Sequence, residues 1–318
     1  MSINDKILKP SPSALKQAAE SIRSGKLVSF ATETVYGLGA DATNGQAVAG
    51  IFEAKGRPSF NPLIVHVPDL EAAKKLVTFE PLAEKLALKF WPGPISFVLP
   101  RKDSCPVSEL ASAGLPTLAI RVPSNEAARA FLQAADRPIA APSANPSGKI
   151  SPTKAAHVAA GLGDKVAYIL DGGDCAVGLE STVISVQNGK VTLLRPGGIS
   201  KEDLEAVAGP VAVAKADSKI SSPGMLLSHY APGCPVRLNA TQKEDGEAFL
   251  AFGPGFEEIA DLNLSASGDL KEAAARLFAS LHELDKLNPR QIAIAPIPNT
   301  GIGSAINDRL KRAAAPRN

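Results

Sequence analysis

The chain is poor in aromatic residues. They make up 5% of its 318 residues, with one tryptophan and three tyrosines. So thin a supply argues against a sheet surface that stacks successive nucleic-acid bases. The formal net charge is only +2. No global field therefore draws nucleic acid or an anionic membrane, and an anion site must come from local clustering. The three cysteines, Cys105, Cys175 and Cys234, stand far apart with neither CxxC nor metal-ligand spacing. Their odd number suits a reducing compartment better than a disulfide scaffold. No apolar run approaches a membrane span, and the opening MSINDKILKPSPS lacks the apolar core of a signal peptide. Cytoplasm is the expected location, and no membrane partner is expected. GxxxxGK[ST], GxSxG and HExxH are all missing. Nothing suggests a covalent nucleophile, and no acidic cage points to a protein-held metal.

What is present is a soluble globular composition, 45% hydrophobic, and a length that favours two domains. Periodicity and punctuation predict helices over 11–26, 46–55, 69–77, 81–90, 125–135 and 153–162. Strands are predicted over 27–30, 64–67, 96–99, 117–122 and 139–142. Asn188-Gly189 is a hairpin signal between strands 182–186 and 190–194. The sheet should therefore be mixed. Ser200 to Asp203 reads as a capping box. Residues 209–224, small and polar with prolines at both ends, read as a linker. Beyond Pro235, strands 249–252 and 291–297 alternate with helices 269–284 and 304–314. The expected division is a catalytic domain over 1–208, a linker or lid over 209–235, and a small α/β domain over 236–318.

The densest stretch is 31–67, ATETVYGLGADATNGQAVAGIFEAKGRPSFNPLIVHV. It holds hydroxyls (Thr32, Thr34, Tyr36), two glycines read as turn residues (Gly37, Gly39), a cationic pair (Lys55, Arg57) and His66. Lysine and arginine answer phosphate charge, arginine two oxygens at a time. Hydroxyls and glycine-loop amides add directed donors. Each fragment has a plain structural reading as well: a turn, a helix C-terminus, a core histidine. Their concentration favours a site.

Further along, Arg121 ends a strand in TLAIRVP, where an arginine is either a structural ion-pair partner or an anion ligand. APSANPSG, residues 141–148, follows a strand with serine, asparagine and turn residues, the make-up of a ligand-facing loop. Ser151-Pro152-Thr153 reads as the N-cap of the next helix, with Pro152 at its first position. Gly178 to Val183 brings hydroxyls to a strand entrance, and Arg195 ends the hairpin. His157 and His282 read as helix-surface residues. Ser228-His229-Tyr230-Ala231-Pro232 reads either as a lid or as a staple that fastens the linker. Cations, hydroxyls and amides without a nucleophile suit phosphoryl or nucleotidyl transfer by positioning and charge neutralisation.

ETVYGLGADA, KGRPSFNPLIVHV, IRVP, APSANPSG, GLESTVI and LRPG occur here in that order, and together they resemble the YrdC-like family. SPGMLLSHYAP resembles its longer, two-domain members, the threonylcarbamoyl-AMP synthases. The resemblance implies a twisted mixed α/β sheet with a basic cavity and a small Rossmann-like C-terminal domain. It implies a nucleotidyltransferase that makes threonylcarbamoyl-AMP and pyrophosphate from L-threonine, bicarbonate or carbon dioxide, and ATP. The product would serve threonylcarbamoyladenosine formation in tRNAs that read ANN codons. By the family's motifs, Thr34, His66, Arg121, Ala141 and Ser181 would hold threonine. Lys55, Arg57, Asn61, Thr117, Ser143, Ser151, Arg195 and Tyr230 would hold ATP, with Lys55 and Arg57 as the catalytic pair. Mg2+ would be held through the ATP phosphates. Downstream threonylcarbamoyl-transfer machinery is the implied partner, with a weak tRNA contact as another. The rival readings are an RNA-binding module without its own chemistry and a nucleotide hydrolase.

Overall fold

The structure, a computed structural model, describes residues 2–58, 61–214 and 229–316. Among them the chain forms two sheets. The first contains β1 (Ile7–Leu8), β2 (Val28–Phe30), β3 (Gly37–Asp41), β4 (Ile64–His66), β5 (Ile95–Pro100), β6 (Thr117–Arg121), β7 (Ile139–Ala140), β8 (Tyr168–Leu170), β9 (Thr182–Gln187), β10 (Lys190–Arg195) and β11 (Val211–Val213). Around it lie α1 (Pro12–Arg23), α2 (Gly45–Lys55), α3 (Leu70–Leu76), α4 (Pro81–Phe90), α5 (Glu109–Ser112), α6 (Glu126–Ala135), α7 (Ala155–Leu162) and α8 (Lys201–Ala208). The second sheet contains β12 (Val236–Arg237), β13 (Glu247–Ala251), β14 (Leu262–Asn263) and β15 (Gln291–Ile294), with α9 (Leu270–Asp285) and α10 (Gly303–Ala314).

The first sheet has the order β1-β8-β2-β3-β7-β4-β6-β5-β9-β10-β11. It is mixed: β4 runs parallel to β6, whereas β5 and β6, and β9 and β10, are antiparallel. The second sheet, β12-β15-β13-β14, is parallel in all its pairings. The elements follow from local chemistry. Asn125 accepts from the Ala128 amide and starts α6, whose Ala128, Phe131, Leu132 and Ala135 are buried at helical spacing. Ser200 and Asp203 complete the capping box of α8. Asn188 and Gly189 both have positive φ, as a tight hairpin turn with matching twist requires.

Several expectations need correction. Gly37 and Gly39 are not turn residues; they lie in β3, wholly buried between β2 and β7. A Cβ on Gly39 would stand 3.0 Å from the Phe30 ring, from Ile139 and from the Val28 carbonyl. Close strand packing, not a phosphate-cradling loop, explains that glycine. α7 begins at Ala155 with Lys154 as its N-cap, so Ser151 and Pro152 do not start the helix. β11 sits on the sheet edge beside β10, inside the stretch read as linker. His157 and His282 stack ring on ring at 3.9 Å between α7 and α9 instead of facing solvent. Pro223 and Gly224, at the end of the stretch read as a linker, lie outside the described residues.

The two sheets are joined by close packing. Gly178 lies so near α9 that a Cβ there would be 2.5 Å from Ala275 backbone. Val35, Ile150, Leu179 and Tyr230 share one apolar cluster with Leu277, Phe278 and Leu281 of α9. No helix among the described residues is long and apolar enough to cross a membrane.

Candidate active site

The site forms where β4, β6, β9 and β10 end or begin around one cavity. Parallel pairing of β4 and β6 sets His66 beside Arg121. Arg121 Nη1 donates to Thr34 Oγ1 at 2.8 Å, Nη2 to Glu33 Oε1 at 2.7 Å, and Nε to the Gly93 carbonyl at 3.3 Å. The ion-pair reading of this arginine holds, since it has a buried ionic partner; it also lines the cavity. Thr34 is fixed further by Thr32, whose hydroxyl is 2.8 Å away. Burial first, and Arg121 second, push the His66 imidazole down to about 3, so it is neutral at pH 7. Its Nδ1 is buried and has no hydrogen-bond partner among the described residues.

Ser181 stands at the entrance to β9, with its hydroxyl 2.8 Å from that of Ser96. Arg195, the last residue of β10, donates to the Ser181 carbonyl at 2.9 Å and to its hydroxyl at 3.2 Å. Gly197, in the turn after Arg195, lies directly against this segment: a Cβ would meet the Thr182 nitrogen at 2.3 Å and the Glu180 oxygen at 2.4 Å. Arg57 follows α2, whose C-cap Gly56 takes the left-handed conformation that ends the helix. Its Nη2 donates to the Pro62 carbonyl at 3.3 Å, while its buried Nε has no partner among the described residues. Burial, with Arg195 acting in the same direction, lowers this guanidinium to about 10, still charged at pH 7.

Thr34, Arg57, His66, Arg121, Ala141, Ser143, Ser181, Arg195 and Tyr230 all line this cavity. Four of the expected site residues are not among those lining it. Lys55 does not face the cavity; its ammonium donates to the carbonyls of Ser143 at 2.6 Å and Asn145 at 2.5 Å. Burial and the Arg57 charge hold it well below the ordinary lysine range. Ser151 donates to Glu180 Oε1 at 2.5 Å. Asn61 is buried, and neither its amide nitrogen nor its oxygen has a partner among the described residues. Thr117 opens β6 opposite Pro100; strand alternation puts it on the same face as Arg121, about 13 Å along.

Three charged residues at the site were not assigned from the sequence. Glu33 pairs with Arg121, and Glu180 lines the cavity. Arg309 of α10 donates from Nε to Glu180 Oε2 at 2.7 Å. Its signal was legible: Ile306, Arg309, Leu310 and Ala313 share the buried face of α10, where a charge needs a partner. Among the described residues no group of three or more His, Cys, Asp or Glu side chains could hold a metal ion.

A family model described as "Telomere recombination", for Sua5, YciO and YrdC proteins, matches residues 20–197. The chain belongs to this Sua5–YrdC family. A second model, "Threonylcarbamoyl-AMP synthase, C-terminal domain", matches residues 199–315, so this family member is of the two-domain kind. Among curated relatives, the threonylcarbamoyl-AMP synthase of Pyrococcus abyssi is 40% identical over 95% of this chain and 94% of its own. That of Bacillus subtilis is 41% identical over 95% and 93%. The crystal structure of the P. abyssi Sua5 protein complexed with L-threonine superposes with a TM-score of 0.88 at 38% identity, covering 97% of this chain and 96% of the other.

Proposed function

We propose that this Sua5–YrdC protein is a nucleotidyltransferase that joins L-threonine, carbon dioxide or bicarbonate, and ATP into threonylcarbamoyl-AMP, with release of pyrophosphate. The observation that carries the reading is the convergence of Arg57, Arg121 and Arg195 with the hydroxyls of Thr34, Ser143 and Ser181 on one cavity. The names of the full-length relatives and the threonine complex of the P. abyssi protein support it.

The chemistry sets what the residues must do. The threonine amine adds to carbon dioxide and loses a proton, giving a carbamate. A carbamate oxygen then bonds to the α-phosphorus as its bond to the β-phosphate bridging oxygen breaks, and pyrophosphate leaves. Both reactants are anionic, so catalysis consists largely of offsetting repulsion and fixing geometry. In this reading Arg121, oriented by Glu33 and Thr34, takes the threonine carboxylate. Thr34, His66, Ala141 and Ser181 complete that pocket. His66, being neutral, adds no charge to the pocket. Arg57 and Arg195 take the phosphates, with Ser143 and Tyr230 beside them. Asn61 brings an amide that has no partner among the described residues, as a nucleotide contact would explain. Thr117, at the opening of β6, and Ser151, beside Glu180, would complete the ATP contacts. Lys55 serves by clamping the 143–145 loop through its carbonyls.

The carboxylates nearest the cavity, Glu33 and Glu180, are each held by an arginine. They are poor candidates for metal ligands, so magnesium would arrive with ATP, bound to its phosphates and shielding them. The mixed anhydride is reactive and would pass to threonylcarbamoyl-transfer machinery that acts on ANN-decoding tRNA, in the cytoplasm. The test is pyrophosphate release as threonine is titrated at fixed ATP and bicarbonate. Saturable dependence on threonine is expected. Release indifferent to threonine would mark a nucleotide hydrolase and overturn the proposal.

A further inference from the structure

Arg309 heads the fully buried side chains in size, and it belongs to the C-terminal domain. Each nitrogen of its guanidinium donates a hydrogen bond. Nε donates to Glu180 Oε2 at 2.7 Å, Nη2 to the Pro196 carbonyl at 3.0 Å, and Nη1 to Asp308 Oδ2. Its Cζ also stands 5.3 Å from the centre of the Tyr230 ring, within cation–π range. Glu180 in turn uses its other oxygen to accept from Ser151 Oγ at 2.5 Å. One carboxylate thus links a residue of the second domain to a hydroxyl of the first, at a cavity that also contains Arg57 and Arg195.

A buried carboxylate facing a triphosphate site is a liability unless its charge is met from outside the site. Although burial pulls the Glu180 carboxyl up, Arg309 and Arg195 together with the Ser151 hydroxyl outweigh it and keep the group ionised, below the usual range. Without Arg309, the negative charge of Glu180 would fall on Arg195, the cation assigned to phosphate. Resting on the function proposed above, we infer that Arg309 is a positioning residue for ATP: it neutralises Glu180 from behind. Glu180 can then fix the Ser151 hydroxyl without occupying Arg195 or repelling the triphosphate. The C-terminal domain thereby contributes a side chain to the working order of the nucleotide site.

The competing role is a simple clamp between domains, and the test separates the two. Steady-state pyrophosphate release is measured for wild type, R309Q, R309K and the double variant E180Q/R309Q, varying Mg-ATP and L-threonine in turn, with folding checked by circular dichroism. The R309Q variant should raise KM for ATP by about tenfold or more and leave KM for threonine within about twofold. E180Q/R309Q should recover most of the ATP affinity, because the unmatched charge is gone and the amide oxygen that E180Q introduces still accepts from Ser151. Should R309Q not fold, R309K, which cannot span Glu180 and the Pro196 carbonyl together, should show the same split to a smaller degree. Equal rises in both KM values, or a double variant no better than R309Q, would reduce Arg309 to a clamp and overturn the inference. Wild type serves as the control on the underlying reading: absence of threonine-dependent release there would sink the function, whereas an unaltered ATP KM in active R309Q and R309K sinks only this inference.

Discussion

Arg121 and Glu33 form an ion pair at 2.7 Å with side chains only 4% and 9% exposed. The pair sets the direction of the guanidinium before any ligand arrives, since the same fork also holds Thr34. Removing one partner of such a pair strands the other charge in the interior. Arg121→Ala should therefore lower unfolding free energy by about 3–5 kcal/mol, measured by urea denaturation. A loss below about 1 kcal/mol would mean that Glu33 finds another partner or water.

Arg57 differs from Arg121 in having a buried Nε without a partner among the described residues, which points to a ligand as its acceptor. Arg57→Ala should cost about 2–4 kcal/mol in kcat/KM. Arg57→Lys should restore only part, because the bidentate geometry is lost. Turnover like wild type in Arg57→Ala would remove this side chain from the site.

Ser181 contacts both Ser96 and Arg195 through its hydroxyl, in the wall assigned to threonine. Ser181→Ala should raise KM for threonine more than KM for ATP. The pocket should also disfavour serine against threonine by roughly 1–3 kcal/mol, the worth of one methyl group. Competition between the two amino acids in one assay measures this directly, and equal use of both would contradict the assignment.

Gly197 is prevented from carrying a side chain by backbone atoms of 180–182, none of which can rotate away. Gly197→Ala should displace the segment that carries Glu180 and Ser181. The expected cost is about 1–3 kcal/mol of stability, with a larger proportional loss of activity. A fully active, fully stable variant would show that the turn after Arg195 yields easily.

His66, His157 and His229 are each pushed down to about 3, in every case chiefly by burial. Their folded values lie below the ordinary unfolded value of about 6.5. The unfolded chain therefore binds more protons between those limits, and stability must fall as pH drops from about 6.5 towards 3. The slope is at most about 1.4 kcal/mol per pH unit for each proton. Urea denaturation at pH 7, 5.5 and 4 should show this decline. His157→Gln should flatten part of it, whereas a flat wild-type profile would show that the histidines open to water before protonating.

Much of this was legible from local signals. The caps at Asn125 and Ser200 and the Asn188-Gly189 hairpin are short-range chemistry, and the helices and strands they mark are where they were expected. β3 was not legible, because a strand written Gly-Leu-Gly-Ala-Asp lacks the β-branched residues that betray strands, and its glycines answer to Phe30 across the sheet. Lys55 shows the same limit at the site. Its residue type promised a phosphate contact, but its length carries the ammonium to loop carbonyls that only the fold brings near. Glu180 and Arg309 are separated by 129 residues, so sequence spacing could not pair them.

The most direct measurement is mass analysis of the product after incubation with Mg-ATP, L-threonine and carbon-13 bicarbonate. The account predicts a threonylcarbamoyl-adenylate that carries the heavy carbon, formed together with one pyrophosphate. Formation of ADP and phosphate, or of AMP and pyrophosphate at the same rate without threonine, would contradict it.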